Sequence, residues 1–130
     1  MNRAPRLAGV AGCLLAGLGV VLGAFGAHAL RDRLGADAMA IWQTAVQYQF
    51  LHAIGLVLVA AISSRRAGRA ATFSSLAFLA GIVFFSGSLY ALALGAPRGL
   101  GLLTPVGGVA FVFGWIALAF SIARADSPLP

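Results

Sequence analysis

Charged residues are scarce in this chain of 130 residues. They make up only 9% of it: lysine and glutamate are absent, nine arginines carry the positive charge, and the acids are three aspartates. A soluble domain carries roughly 25% charged residues and keeps its surface polar. The composition therefore excludes a soluble enzyme and a disordered protein. The single cysteine, Cys13, also excludes a disulfide scaffold.

Apolar sequence is abundant instead, at 61% hydrophobic residues and a mean hydropathy of +0.97. A helix of about 20 apolar residues crosses a hydrocarbon core of about 30 Å. Four uncharged stretches reach about that length, at residues 7–30, 45–62, 72–94 and 106–123, and a short polar tail follows at 124–130. Backbone groups must be paired in lipid, so each stretch should be helical. The prediction is an all-α fold, a single-domain integral membrane four-helix bundle.

The connecting segments have their own signatures. We expect residues 36–44 to extend the second helix outward, with Asp37 as its N-cap. Residues 63–71 should form a basic turn. Residues 95–105 contain prolines and glycines that should not continue a helix. Trp42 stands where an aromatic residue of the membrane interface is expected.

Arginine positions predict the orientation of the chain. The arginines fall between the apolar stretches rather than on one face among aromatics, so we expect no nucleic-acid partner. Six lie on the side shared by both termini and the second loop, and three on the other; the six are Arg3, Arg6, Arg65, Arg66, Arg69 and Arg124. The positive-inside rule then places both termini in the cytoplasm.

One alternative concerns the first apolar stretch, which could be a cleaved signal peptide ending at Ala27-His28-Ala29. Its run over residues 7–26 is longer than the 7–15 residues of a signal-peptide core, which favours a retained span.

Small residues recur along one face of this first stretch. Steps of three and four residues separate Gly9, Gly12, Ala16, Gly19, Gly23 and Gly26. Such a stripe lets another helix backbone approach closely, which is the main means of helix association in lipid. The sequence leaves two partners open, a second span of the same chain or a second copy of it.

Polar side chains within the apolar stretches are costly and therefore informative. With this topology they lie at one level near the outer face; the candidates are His28, Tyr48, Gln49, His52, Ser86, Ser88, Tyr90 and Thr104. Two interpretations remain open. The layer is either a hydrogen-bond network between helices or a small outward-facing pocket for a ligand, an ion or a proton.

Catalytic and metal chemistry find little support. All three aspartates lie outside the apolar stretches, and no nucleophile, phosphate-loop or dinucleotide motif is present. We therefore expect no enzyme activity and no cofactor. Two histidines are too few for a closed zinc site, so a metal or haem held by His28 and His52 is a third, weaker hypothesis.

Several motifs resemble those of one family. They are Leu22-Gly-Ala-Phe-Gly-Ala-His-Ala-Leu30, Trp42-Gln-Thr-Ala45 with Tyr48-Gln49 and His52-Ala53, Phe85-Ser-Gly-Ser-Leu-Tyr90, and Thr104-Pro-Val-Gly-Gly108 with Gly114-Trp115. Together they resemble the YgdD/YwdK family of small membrane proteins, domain of unknown function 423, which is related to animal transmembrane protein 256. The resemblance implies a four-span protein of the bacterial inner membrane and brings no catalytic role to any residue.

Taken together, the sequence predicts a non-enzymatic structural or accessory protein of the membrane. Its expected partners are the lipid bilayer and either a second copy or other membrane proteins. A small-ligand binding or transport unit with an outward polar pocket is the main alternative.

Overall fold

Four long helical rods make up the molecule in the computed structural model, which describes residues 3–63 and 68–125. Each rod is long and apolar enough to cross a membrane; they are span 1 (Arg3–Leu30), span 2 (Ala36–Ser63), span 3 (Arg69–Ala93) and span 4 (Arg98–Arg124). The described residues contain no β-strand. The prediction of an all-α membrane bundle is confirmed.

The helices extend beyond the apolar stretches, because interfacial polar residues continue them. Span 2 begins at Ala36, so Asp37 lies inside its first turn and is not the N-cap that we predicted. Span 4 begins with a 3₁₀ turn at Arg98–Leu102, and its α-helix runs over Leu103–Ala125. Pro105 therefore sits in the first helical turn, where a missing backbone N–H has no cost. As predicted, residues 95–105 do not continue span 3, which ends at Ala93; span 4 nevertheless begins earlier than the expected position 106.

Two predicted segments lie partly outside the described residues. For the basic turn at 63–71 these are positions 64–67, and for the tail at 124–130 they are positions 126–130.

Two of the rods contain a π turn, in which the backbone hydrogen bonds are wider than in an α-helix. In span 1 the α-helix Arg3–Phe25 is followed by a π turn at Gly26–Leu30. In span 3 the turn Ile82–Ser86 separates the α-helices Arg69–Gly81 and Gly87–Ala93. The turn in span 3 rotates the faces that precede and follow it relative to each other.

Each span packs mainly on the next one in sequence. Span 1 packs on span 2, span 2 on span 3, and span 3 on span 4, whereas spans 1 and 4 do not touch within the described ranges. The main core joins all four spans and includes Ala8, Leu56, Phe78 and Leu118. A second cluster, built on Leu30, Trp42 and Ala93, closes the other end.

The outer surface is apolar. Large side chains such as Leu14, which is 70% exposed, and Phe113 point away from the bundle on every rod. In water such a surface would be unstable, whereas lipid accepts it without cost. The exterior is therefore suited to acyl chains.

Candidate functional site

The small-residue stripe of span 1 lies against span 2. A Cβ added at Gly12 would stand 2.7 Å from the backbone oxygen of Ala53, and one at Gly9 would stand 2.9 Å from Cβ of Ala60. Gly19 and Gly23 face span 2 in the same way, through Phe50 and Val46. The absence of side chains on this face lets the two backbones approach closely.

At the end of the stripe, Gly26 makes room for an indole. A Cβ at Gly26 would collide with the ring of Trp42, whose Nε1–H donates to the backbone oxygen of Leu22 at 3.0 Å. Trp42 is only 4% exposed. The ring is therefore packed between helices and not exposed as a belt residue would be: Gly26 opens a slot for it, and the Leu22 carbonyl accepts its N–H.

Gln49 joins three of the four spans. Its Nε2 donates to the backbone oxygen of Leu15 on span 1 at 2.9 Å, and its Oε1 accepts from the Tyr90 hydroxyl on span 3 at 2.7 Å. The side chain is 2% exposed. Both ends of the amide are thus engaged in bonds to other helices.

Serine hydroxyls tie span 3 to its two neighbours. Ser86 donates to the backbone oxygen of Ala45 on span 2 at 2.8 Å. On the opposite side, Ser88 and Thr104 of span 4 share a hydrogen bond of 2.6 Å. Ser86 and Ser88 are two residues apart, so they point to different neighbours and hold span 3 between them.

His52 is held from both sides. Trp115 of span 4 donates its Nε1–H to His52 Nε2 at 3.0 Å, so that Nε2 must be the acceptor. The proton then resides on Nδ1, which donates to the backbone oxygen of Tyr48 at 2.7 Å. The imidazole also stacks on Phe111, with ring centroids 3.5 Å apart and planes inclined by 10°. This geometry fixes one neutral tautomer.

Two of the candidate residues stand apart from these bonds. His28 is exposed in the final π turn of span 1 and has no hydrogen-bond partner among the residues that the structure describes. Tyr48 is 37% exposed, and its ring lies against that of Phe85 at a centroid distance of 4.5 Å with the planes inclined by 32°. Its hydroxyl likewise has no partner in the described part of the chain.

Three contributors were missed by the sequence reasoning. Besides Trp42, these are Trp115 and Ser74, whose hydroxyl donates to the backbone oxygen of Gly114 at 2.8 Å. Ser74 lies well away from the level of the other polar groups, toward the start of span 3. The available signal was that a buried indole N–H or serine hydroxyl needs an acceptor. Within the described residues, we call the side chains that hydrogen-bond one span to another the interspan network; it comprises Trp42, Gln49, His52, Ser74, Ser86, Ser88, Tyr90, Thr104 and Trp115.

The chemistry available to the interspan network is limited by these bonds. Metal binding by His52 needs a free nitrogen lone pair, and its acceptor nitrogen is already bonded to Trp115. Among residues 3–63 and 68–125, no three histidine, cysteine or acidic side chains cluster as a metal site would require. The arrangement is suited to holding helices together.

Comparison with known proteins identifies the family. A family model described as a protein of unknown function (DUF423) matches residues 22–108, a stretch that contains most of the interspan network. A UPF0382 membrane protein of Staphylococcus epidermidis is 46% identical over 115 residues, which cover 88% of this chain and 93% of the relative. No solved structure matches the chain.

Two further relatives carry names that match the resemblance noted in the sequence. The UPF0382 membrane protein YwdK of Bacillus subtilis is 40% identical over 116 residues, covering 88% of this chain and 94% of the relative. The UPF0382 inner membrane protein YgdD of Escherichia coli is 42% identical over 105 residues, covering 81% of this chain and 80% of the relative. Four membrane-spanning helices and relatives of this similarity lead to one conclusion: the chain belongs to the DUF423 family of membrane proteins.

Proposed function

We propose that this protein is a non-enzymatic structural component of the bacterial inner membrane. It is a small rigid bundle that offers its apolar exterior to lipid and to other membrane components. The observation that carries the proposal is the engagement of His52 and Gln49, whose polar atoms are bonded to neighbouring spans. A binding or catalytic centre needs polar groups aimed at a ligand, and these are aimed at other helices.

The alternative of an outward polar pocket has less support. Ser88 and Thr104 use their hydroxyls on each other, and the Tyr90 hydroxyl is bonded to Gln49. Proton-coupled transport typically uses acids within the membrane, whereas both described aspartates, Asp32 and Asp37, lie in or beside the first loop.

Replacing His52 with alanine tests the structural role. The change removes the stacking on Phe111 and the bond from Trp115, so we expect the free energy of unfolding to fall by roughly 1–3 kcal/mol. Thermal unfolding in mild detergent measures this loss. Native mass spectrometry of the same samples should show no stoichiometric small molecule other than lipid on either protein.

His28→Ala is the matched control, because His28 is exposed and unbonded within the described residues. It should unfold like the parent protein. The proposal is overturned if His52→Ala unfolds like the parent while losing a bound non-lipid molecule, since His52 would then serve a ligand.

The proposed orientation has both termini in the cytoplasm. Its support is the excess of arginine on the termini side, to which the exposed Arg3, Arg6, Arg69 and Arg124 belong. A green fluorescent protein fused to the C-terminus should be bright, and alkaline phosphatase fused there should be inactive. Fusions in the loop between spans 1 and 2 supply the control and should give the opposite pair of results. Active phosphatase at the C-terminus would reverse the orientation.

A further inference from the structure

A groove of about 470 Å³ runs between spans 1 and 3 on the surface of the bundle. It extends along span 1 from Ala4 to Leu14 and along span 3 from Ala71 to Leu79, with Val59 of span 2 at its floor. Ten residues of helix rise by about 15 Å, which is the depth of one leaflet of a bilayer. The groove thus has the length of the leaflet on the side of the termini.

The lining of the groove is apolar. Its two hydroxyl-bearing residues turn back on their own helix: Ser75 donates to the backbone oxygen of Ala71 at 3.1 Å, and Thr72 donates to that of Gly68. The remaining lining consists of alanine, valine, leucine and proline side chains. Such a surface offers nothing to a polar ligand and complements a hydrocarbon chain.

Positive charge stands at the mouth of the groove. Arg3 and Arg6 are four residues before the lining residues Leu7 and Val10, and Arg69 is three residues before Thr72, so that each shares a helix face with the lining. Side chains in helices lean toward the N-terminus, which here carries the guanidinium groups out to the headgroup level. All three are exposed.

No acid is available at this end to neutralise them within the described ranges. Asp32 and Asp37 lie at the opposite end of the bundle, around the loop that joins spans 1 and 2. Three guanidinium groups above an apolar slot of leaflet depth are complementary to an anionic headgroup above an acyl chain.

We propose that the groove binds an anionic phospholipid of the leaflet on the termini side. One acyl chain lies between spans 1 and 3, and the headgroup phosphate is held by Arg3, Arg6 and Arg69. This inference builds on the proposed function, because it names a lipid partner for the exterior of the bundle.

Native mass spectrometry of the full chain, released from mild detergent, tests the site. The probes are phosphatidylglycerol and phosphatidylcholine with identical acyl chains, titrated separately. We expect one phosphatidylglycerol per chain, bound at least about tenfold more tightly than phosphatidylcholine, since each arginine near a headgroup contributes about fivefold. Equal retention of both lipids would overturn the proposal.

Charge variants locate the headgroup. Arg69→Gln should reduce phosphatidylglycerol affinity by about fivefold, and the triple change of Arg3, Arg6 and Arg69 to glutamine by on the order of 100-fold. Arg124→Gln is the matched control, because Arg124 is exposed at the same end but on span 4, away from the groove. An equal loss in Arg124→Gln would show that the charge acts only as a diffuse field, and the site would be rejected.

A variant that fills the slot locates the acyl chain. Ala11→Phe should lower the retention of both lipids, whereas Ala24→Phe, the same change at an exposed position of span 1 outside the groove, should not. Circular dichroism in the same detergent checks that both variants fold. If Ala11→Phe retains lipid like the parent, or if it abolishes a dimer of the protein instead, the lipid site is refuted. The His52 comparison is independent of these results, because it measures unfolding at a different set of contacts.

Discussion

Replacing Gln49 with leucine is expected to be among the most damaging single changes in the bundle. Leucine keeps the bulk of the side chain and loses its bonds to the Leu15 carbonyl and to the Tyr90 hydroxyl. Interhelical hydrogen bonds in a membrane average about 0.6 kcal/mol and reach about 1.7, so the free energy of unfolding should fall by about 1–3 kcal/mol. Reversible unfolding in mixed detergent micelles, followed by tryptophan fluorescence, measures the loss.

Gln47→Leu is the natural control, because Gln47 is exposed on the same helix two residues away. It should leave the unfolding midpoint unchanged. Tyr90→Phe removes one of the two hydrogen bonds of Gln49, so it should lower the free energy of unfolding by the contribution of that bond alone. A double-mutant cycle with Gln49→Leu should give a coupling energy close to the same contribution. Identical unfolding of Gln49→Leu and Gln47→Leu would mean that the three-span junction does not stabilise the bundle.

Gly107→Ala is expected to have a comparably large effect, for a steric reason. A Cβ at this position would collide with the backbone nitrogen of Phe85 and would stand 2.8 Å from its Cα. Backbone atoms cannot rotate aside, so spans 3 and 4 would have to separate. Overpacking typically costs about 1–3 kcal/mol, and we expect a net loss near the upper end, even after the small gain in helix propensity of alanine.

The adjacent glycine supplies a matched comparison for this effect. At Gly108 an added Cβ would lie 3.7 Å from Cδ2 of Phe85, an ordinary contact. Gly108→Ala should therefore be neutral or stabilising, by up to about 1 kcal/mol. Unfolding experiments on both variants decide the matter, and similar behaviour of the two would contradict the close approach of spans 3 and 4 at Gly107.

The overall fold could be predicted from sequence because the bilayer imposes one strong constraint. A stretch of about 20 apolar residues in lipid must pair its own backbone groups, so length and hydropathy suffice to identify a helix. The same constraint makes buried polar groups conspicuous. Gln49, His52 and Ser86 were chosen for that reason, and in the structure each is bonded to another span.

The partners of those groups could not be predicted, because several of them are backbone carbonyls. Every residue has a carbonyl, so no sequence pattern distinguishes Leu15, Leu22 or Gly114 as acceptors. The distinction between Gly107 and Gly108 is equally hidden, since it depends on which of them faces Phe85. The π turn at Ile82–Ser86 adds a third obstacle, because a regular 3.6-residue period would assign the wrong faces to the residues that follow it in span 3.

The nearest-neighbour packing of the spans also determines how the molecule can be assembled. Since span 1 packs on span 2, span 2 on span 3, and span 3 on span 4, each interface closes a single short hairpin of the chain. Contacts between segments close in sequence form quickly and at low entropic cost. Each new span can therefore dock on its predecessor in the order of synthesis, and the glycine seam of span 1 is covered as soon as span 2 arrives. Trp115, the partner of His52, lies on the last span, so the hydrogen bond between them can form only after span 4 has docked.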